Sequence, residues 1–373
     1  MNRLIVLDML RGYALICIMI DHMPISILRR FTLANFSVFD AAELFVLLSG
    51  FLVGLVWHSV EERDGLRSAQ WRFARRSFEV WRALVLGGVI MALVSAGLLA
   101  LDMSHTAVWN QYAEWVVENP LGYSGVLATM WLQPNLLDVL ALYVILIVSA
   151  PLLVPLLRRW PISFAIGSLV LWWFAPLLNQ IIPNHSRAGL LFNPFGWQML
   201  FYSGIAMALF RDRIMRTLMP HRRLLTILAA GMFLFGTAIV IGAKIGEPAK
   251  EFRDALKLIY GEINKWDLDG TRYLAILAAT WLVAVPLARP MAWLAATVPG
   301  VAMQQIGRGG LWAFVASVLL SVIGDAFQLN PEGQGVLRRL TVDLWSITAL
   351  WWVSVAWLRF GAPRLKRKTP RRT

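Results

Sequence analysis

Charge is scarce in this chain. Only 15% of its 373 residues are Asp, Glu, Lys or Arg, against 58% hydrophobic, and the mean hydropathy is +0.62. A soluble domain has about 45–50% apolar and about 25% charged residues, so this composition excludes an ordinary water-soluble fold. Cysteine is nearly absent: Cys17 stands alone, which excludes an intrachain disulfide. Lys and Arg are missing altogether from 102–135. No histidine or cysteine falls at metal-ligand spacing, and no Ser-His-Asp arrangement emerges, so no metal site is expected. Internal repeats, Gly/Ser linkers and low-complexity runs are also wanting. The first apolar segment, Leu4 to His22, is not followed by an A-x-A-like site and carries Asp8 and Arg11. A secretory h-region is normally uncharged, so the segment is expected to stay as a helix.

What the chain does have is apolar runs of roughly 20 residues, about the length that crosses a hydrocarbon core ~30 Å thick. They fall near 4–22, 39–57, 80–101, 136–157, 162–182, 194–210, 224–243, 273–288, 309–323 and 340–358. The expectation is an all-α, polytopic membrane protein of about ten transmembrane helices. The stretch 290–303, divided by Pro299 and Gly300, is open to being a re-entrant or interfacial piece. With both termini in the cytoplasm, 23 of the 35 Lys and Arg fall on the inner side, 11 on the outer side, and Arg11 lies within the first helix. The positive-inside rule therefore favours the in–in topology in a bacterial inner membrane. The net charge of +13 is accounted for by this distribution and does not point to nucleic acid.

Residues 1–360 read as a single transmembrane domain and 361–373 as a basic cytoplasmic tail suited to anionic lipid. Two outer loops, 102–135 and 245–271, carry aromatics that suggest extra helices. In 251–266, Phe252, Leu256, Ile259, Ile263 and Trp266 recur at helical spacing, and Trp109, Tyr112 and Trp115 do the same in the other loop. These segments either anchor at the interface or cap a site.

A charge near mid-bilayer costs ~2.5–3.5 kcal/mol even on the lenient insertion scale, so such residues usually serve a site. The first helix carries Asp8, Arg11, Asp21 and His22; the second carries Asp40, Glu43 and Ser49. At about 100° per residue, Arg11 falls about −60° and His22 about −40° from Asp8, so these three share a face. Arg11 and His22 are then about 16 Å apart along the axis. A guanidinium is a permanent, multi-donor anchor, and an imidazole takes up a proton near neutral pH. Glu43 is a candidate either to orient that imidazole or to share its proton. The competing explanation is an ion-pair network, Arg11 with Asp8 or Glu43, that holds the two helices together.

At these residues the sequence resembles a known family. LDMLRGYALICIMIDHMP, followed by FTLANFSVFDAAELFVLLSGFLVGLVW, is similar to the opening of the OpgC family of membrane succinyltransferases, which decorate periplasmic glucans and resemble the wider acyltransferase-3 superfamily. The Arg-x10-His spacing of Arg11 and His22 looks like that superfamily's signature, and DAAELFVLLSG (Asp40 to Gly50) is OpgC-like. FNPFGWQMLF (Phe192 to Phe201) and IGRGGLWAF (Ile306 to Phe314) extend the likeness over most of the chain. The resemblance implies an O-acyltransferase with His22 as base and Arg11, Glu43 and Asp21 in support. Asp8, Asp40 and Ser49 are the expected substrate-binding groups beside them. It further implies a cytosolic acyl-CoA, succinyl-CoA by the family, as co-substrate, no tightly bound cofactor, and a glycan hydroxyl on the outer side. The chain departs from the pattern at Trp81, Arg82 and Ala83, where a Tyr and then a His are expected.

Other candidates follow from position. Asn193, Trp197 and Gln198 open the sixth helix from outside, where a polar helix N-terminus either holds a substrate oxygen or simply caps and anchors. Arg308, beside Gly307, Gly309 and Gly310, either clasps CoA phosphates or satisfies the positive-inside rule. Asp138 and Asp343 lie near helix ends and are expected to be solvated. His58, His105, His185 and His221 are expected in surface loops. The rival function is a proton-coupled secondary transporter using Asp8, Arg11, His22 and Glu43; such proteins usually show paired repeats and broken helices.

Overall fold

The computed structural model describes residues 2–103, 105, 110–185, 189–261, 263–329 and 335–361, and among these every regular element is helical. Helix α1 (Asn2–Asp21) is followed by two short 3-10 turns, Leu28–Phe31 and Leu33–Asn35. Then come α2 (Ala41–Asp64), α3 (Leu66–Ala100), α4 (Asn110–Glu118), α5 (Pro120–Ala128), α6 (Asp138–Arg159), α7 (Pro161–Trp173), α8 (Ala175–Asn179) and α9 (Pro194–Leu209). The second half holds α10 (Arg211–Leu218), α11 (Arg222–Ile245), α12 (Glu247–Tyr260), α13 (Gly270–Ala284), α14 (Ala288–Ala296), α15 (Val298–Arg308), α16 (Gly310–Leu329) and α17 (Val336–Ala356).

By length and apolar composition, six helical segments can cross a membrane: Ala41–Asp64, Leu66–Ala100, Asp138–Arg159, Arg211–Gly242, Gly310–Leu329 and Val336–Gly361. A seventh is obtained if α13 and α14, bent by 75° at their junction, form one span. The remaining apolar runs also fold as helices but fall short of that measure. Helix α1 carries Arg3, Asp8, Arg11 and Asp21 along its 20 residues. Helix α7 has only 13 residues before a break into α8, and α9 has 16.

Boundaries follow local chemistry. Asp40 caps α2 by accepting from the Ala42 N–H, and Glu43 returns a bond to the Asp40 N–H, a reciprocal capping box. Asn193, followed by Pro194, caps α9, and Asp269 caps α13. Inside α6, Pro155 lacks the N–H that would reach the Pro151 carbonyl; the Gln70 side chain of α3 donates to that carbonyl instead, at 3.0 Å.

Two helix pairs approach at backbone distance because glycine leaves room. A Cβ on Gly12 of α1 would lie 1.8 Å from the Met303 carbonyl oxygen of α15, and one on Gly307 would lie 1.9 Å from the Asp8 carbonyl oxygen. Residue numbers rise along one helix as they fall along the other, so α15 runs antiparallel to α1. Between α2 and α9, a Cβ on Gly50 would meet the Phe201 carbonyl oxygen at 2.1 Å and one on Gly204 the Leu47 carbonyl oxygen at 2.4 Å. These contacts fix the α1–α15 and α2–α9 pairs at close approach.

The stretch 290–303 is helical, divided at Thr297 between α14 and α15, and α13 and α14 together make a helix bent by 75°. The outer-loop stripe is only partly realised. Helix α12 stops at Tyr260, before Gly261 with φ +77°, so Ile263 and Trp266 belong to the loop beyond it. Phe252 is exposed on α12; the side chains of Leu256 and Ile259 lie outside the described residues. In the other loop, α4 and α5 pack on α3: Trp115 meets Tyr123 edge-on, and the Tyr123 hydroxyl donates to the Gly88 carbonyl. Trp109 and the tail 362–373 lie outside the described residues.

Candidate functional site

Helix α1 ends at Asp21, and His22 begins the turn beyond it. The His22 Nδ1 lies 2.5 Å from the Ile18 carbonyl oxygen. A carbonyl only accepts, so Nδ1 carries the proton and Nε2 presents its lone pair. The segment after His22 is tied down from several sides. The Thr32 hydroxyl lies 2.5 Å from Asp21 Oδ1 and 2.8 Å from the Arg29 carbonyl, with one proton to give between them. Asp343 of α17 is fully buried; its Oδ2 accepts from the Ile27 and Leu28 N–H groups at 3.0 and 3.1 Å, and its Oδ1 accepts from Gln328 at 2.7 Å. The expectation of a solvated Asp343 is therefore corrected, and so is that for Asp138, which is buried at the start of α6 with its carboxylate on the Val139 N–H. Free backbone donors inside the bundle need an acceptor, and these two carboxylates supply one.

The acidic residues at the start of α2 sit in a cluster of four charges. Glu43 is fully buried, and its Oε1 accepts from Arg272 of α13 at 2.5 Å. Asp40 Oδ2 accepts from Lys265 at 2.7 Å and lies 3.4 Å from Arg272 Nη2. The oxygens of Glu43 are thus engaged by Arg272 and by the helix cap, not by His22. The charged groups that bear on His22 are Lys265, Asp40 and Arg29. Burial alone would push the Lys265 ammonium down, but Asp40 and Glu43 outweigh it and hold it above its ordinary value. Lys265 and Arg272 escaped the sequence reading, which counted them as outer-side charges. The signal was present nonetheless: two carboxylates at one buried helix start require cations.

Asp8, Arg11 and Arg308 assemble about halfway along α1. Arg11 Nη1 lies 3.8 Å from Asp8 Oδ1 on the same helix, and Arg11 Nε is buried with no hydrogen-bond partner. Tyr143 of α6 and Arg76 of α3 are its other electrostatic neighbours, and Arg308 of α15 acts on Asp8. An ion pair within α1 does not join α1 to α2, and Glu43 is bound to Arg272 and the α2 cap instead. Among the described residues, then, the ion pair of Arg11 does not staple the first two helices together.

Asn193, Trp197 and Gln198 sit together at the start of α9 with their polar groups taken up by protein. Asn193 caps Phe195 and donates to Asp267 Oδ1 at 2.7 Å; Trp197 donates to the Trp266 carbonyl at 3.0 Å. Gln198 accepts from the Ser168 hydroxyl and donates to the Ser168 carbonyl. Ser49 is buried within α2. Trp81, at the departure from the family pattern, donates to the Ala128 carbonyl and so anchors α5. The histidines depart from expectation at two places. His58 lies within α2, 3.2 Å from Glu62, and His105 is buried with Nε2 2.6 Å from the Ser95 hydroxyl. No group of three or more potential metal ligands exists among the described residues.

A cavity of about 210 Å³ opens beside the charge cluster, with Ser37, Asp40 and Arg272 among its walls. The C-terminal end of α1 therefore gathers Asp21, His22, Asp40, Glu43, Lys265 and Arg272, and the middle of α1 gathers Asp8, Arg11 and Arg308. No curated protein and no solved structure matches this chain. The family model described as OpgC protein matches residues 3–361, nearly the whole sequence, and on that match the chain belongs to the OpgC family.

Proposed function

We propose that this protein is a membrane O-acyltransferase that moves an acyl group, succinyl by family resemblance, from a cytosolic acyl-CoA to a hydroxyl of a periplasmic glucan or another extracytoplasmic glycan. The observation that carries this reading is the state of His22. With Nδ1 given to the Ile18 carbonyl, Nε2 is left as a proton acceptor at the end of a helix that holds Arg11 near its middle. In this reading ten helices span the inner membrane, with both termini cytoplasmic, as the apolar runs and the distribution of Lys and Arg suggest. Arg11, Asp8 and Arg308 face the donor's side, and His22, Asp21 and Asp40 face the acceptor's side. The donor comes and goes as a co-substrate.

His22 removes the proton of the acceptor hydroxyl as its oxygen attacks the thioester carbonyl, and returns it to the departing sulfur. General-base help is typically worth ~10²–10⁴-fold. His22→Gln keeps hydrogen bonding but cannot take up a proton, so it should lose transfer by about that factor while retaining donor binding. Transfer by the wild type should rise with pH as the imidazole becomes neutral. Mass spectrometry of periplasmic glycans from cells with and without the gene tests the reaction itself; unchanged acyl decoration would overturn it. The 75° break between α13 and α14 is the feature that favours a transporter instead. A transporter would carry substrate across vesicles without acylating it.

A further inference from the structure

The segment FNPFGWQ (Phe192 to Gln198) is a socket, and what it holds is the loop before α13. The Asn193 N–H and the Trp197 indole N–H both donate to the Trp266 carbonyl, each at 3.0 Å. Asn193 Nδ2 reaches Asp267 Oδ1, and Phe192 meets the Trp266 ring edge-on at 5.4 Å. At Gly196 a Cβ would lie 2.2 Å from the Asp267 carbonyl oxygen, so only glycine lets the loop seat this closely. From α7, the Trp172 indole donates to the Leu268 carbonyl at 2.7 Å, and Leu268 is fully buried. Within the loop, Asn264 accepts from the Trp266 N–H and donates to Asp267 Oδ2.

A loop fastened at this many points presents its side chains in fixed places, and the one it presents to the His22 end is Lys265. Its Nζ lies 2.7 Å from Asp40 Oδ2 and about equally far, 5.5 and 5.4 Å, from the Phe192 and Trp266 ring centroids. It bears electrostatically on Asp21, His22, Glu43 and Asp138 as well. The side chain keeps 32% of its surface open, and an ammonium has three donors. Arg272 and Lys265 together balance Asp40 and Glu43, and of the two cations Lys265 is the more open, with 32% of its side chain exposed against 11% for Arg272.

We propose that Lys265 is a catalytic residue of the transfer reaction, its ammonium donating a hydrogen bond to the thioester carbonyl oxygen beside His22. The inference rests on the acyl-transfer reading. As the acceptor oxygen bonds to the carbonyl carbon, its proton passes to His22 Nε2 and the carbonyl electron pair moves onto oxygen, where Lys265 holds it. Collapse of that intermediate breaks the C–S bond; the electron pair leaves on sulfur, which takes the proton back from His22. Lys265 gains and loses no proton, in keeping with the two carboxylates that hold it charged.

The test uses full-length protein in nanodiscs, with succinyl-CoA and glucan oligosaccharides as probes. Removing one oxyanion donor typically costs ~10²–10³-fold in kcat, so Lys265→Met should lose kcat by about that much with the donor KM little changed. Lys265→Arg, which restores a cation, should recover a large part, and Lys265→Gln guards against a Met variant that fails to fold. Near-wild-type kcat in the Met or Gln variant overturns the inference and leaves the reading standing. So does a loss of folded protein that Arg does not relieve. Wild-type protein that acylates no hydroxyl overturns the reading, and this inference with it.

Discussion

The pairing of Glu43 with Arg272 separates a structural carboxylate from a reacting one. Glu43 is fully buried and the Arg272 side chain is 11% exposed, with 2.5 Å between Oε1 and the guanidinium. Removing one partner of such a pair leaves an uncompensated buried charge, at a cost of about 3–5 kcal/mol. Glu43→Gln keeps an oxygen for the Asp40 N–H and so spares the cap, but it leaves Arg272 with only the longer contact to Asp40. Arg272→Met leaves Glu43 with the cap alone and Asp40 with Lys265. The double variant Glu43→Gln/Arg272→Met strands no charge in the pair. Its destabilisation should therefore fall short of the sum of the two singles by about 2–3 kcal/mol, the upper part of the ~0.5–3 kcal/mol typical of contacting residues. Unfolding titrations in mixed micelles measure all four proteins. Additive single effects would show that the pair is not coupled and that the buried arrangement described here is wrong. A double variant that is stable yet inactive would return Glu43 to the chemistry.

Arg11→Lys keeps the charge but loses the guanidinium fork, so donor binding should weaken while membrane insertion stays normal; full activity in Lys beside failed insertion in Arg11→Ala would make the residue structural. Reporter fusions after residues 70 and 218 should read cytoplasm and those within 110–128 and 250–260 should read outside; a fusion at residue 373 that reads periplasm would overturn the in–in topology. Gly204→Leu should prevent the α2–α9 approach, since its first side-chain carbon would already lie 2.4 Å from the Leu47 carbonyl; loss of folded protein in detergent is the expected result, and a normally folded variant would refute the close packing.

Hydropathy made the membrane class legible because a run of apolar residues has few other uses, and each of the ten runs does fold as helix. Length was less legible. The run at 162–182 breaks at Phe174, where α7 gives way to α8, and Pro176 stands at the head of the new turn. The run at 273–288 continues, after a 75° bend, into a helix over part of the stretch that composition left open to being re-entrant or interfacial. Bends of this kind depend on what packs beside the helix. The α15 backbone lies against Gly12 of α1, a contact almost 300 residues away in sequence, and no local pattern can announce it.

The site was legible wherever its members share a helix and illegible wherever they do not. Arg11 and His22 lie on one face of α1 by simple rotation, and the capping box of Asp40 and Glu43 is a three-residue pattern. Lys265 and Arg272 come from the far side of the chain, more than 220 residues after Asp40 and Glu43. Sequence position gave them only a side of the membrane. The acidic pair nevertheless poses its own question, because buried carboxylates are costly unless paired. Helix caps satisfy some of their hydrogen bonds but leave the charge. That debt had to be met by a cation on another element, and the socket built from Asn193, Gly196 and Trp197 is what brings Lys265 within reach. The FNPFGWQ segment therefore owes its character to holding the loop that completes the His22 end, and a substitution there should act on the site through Lys265.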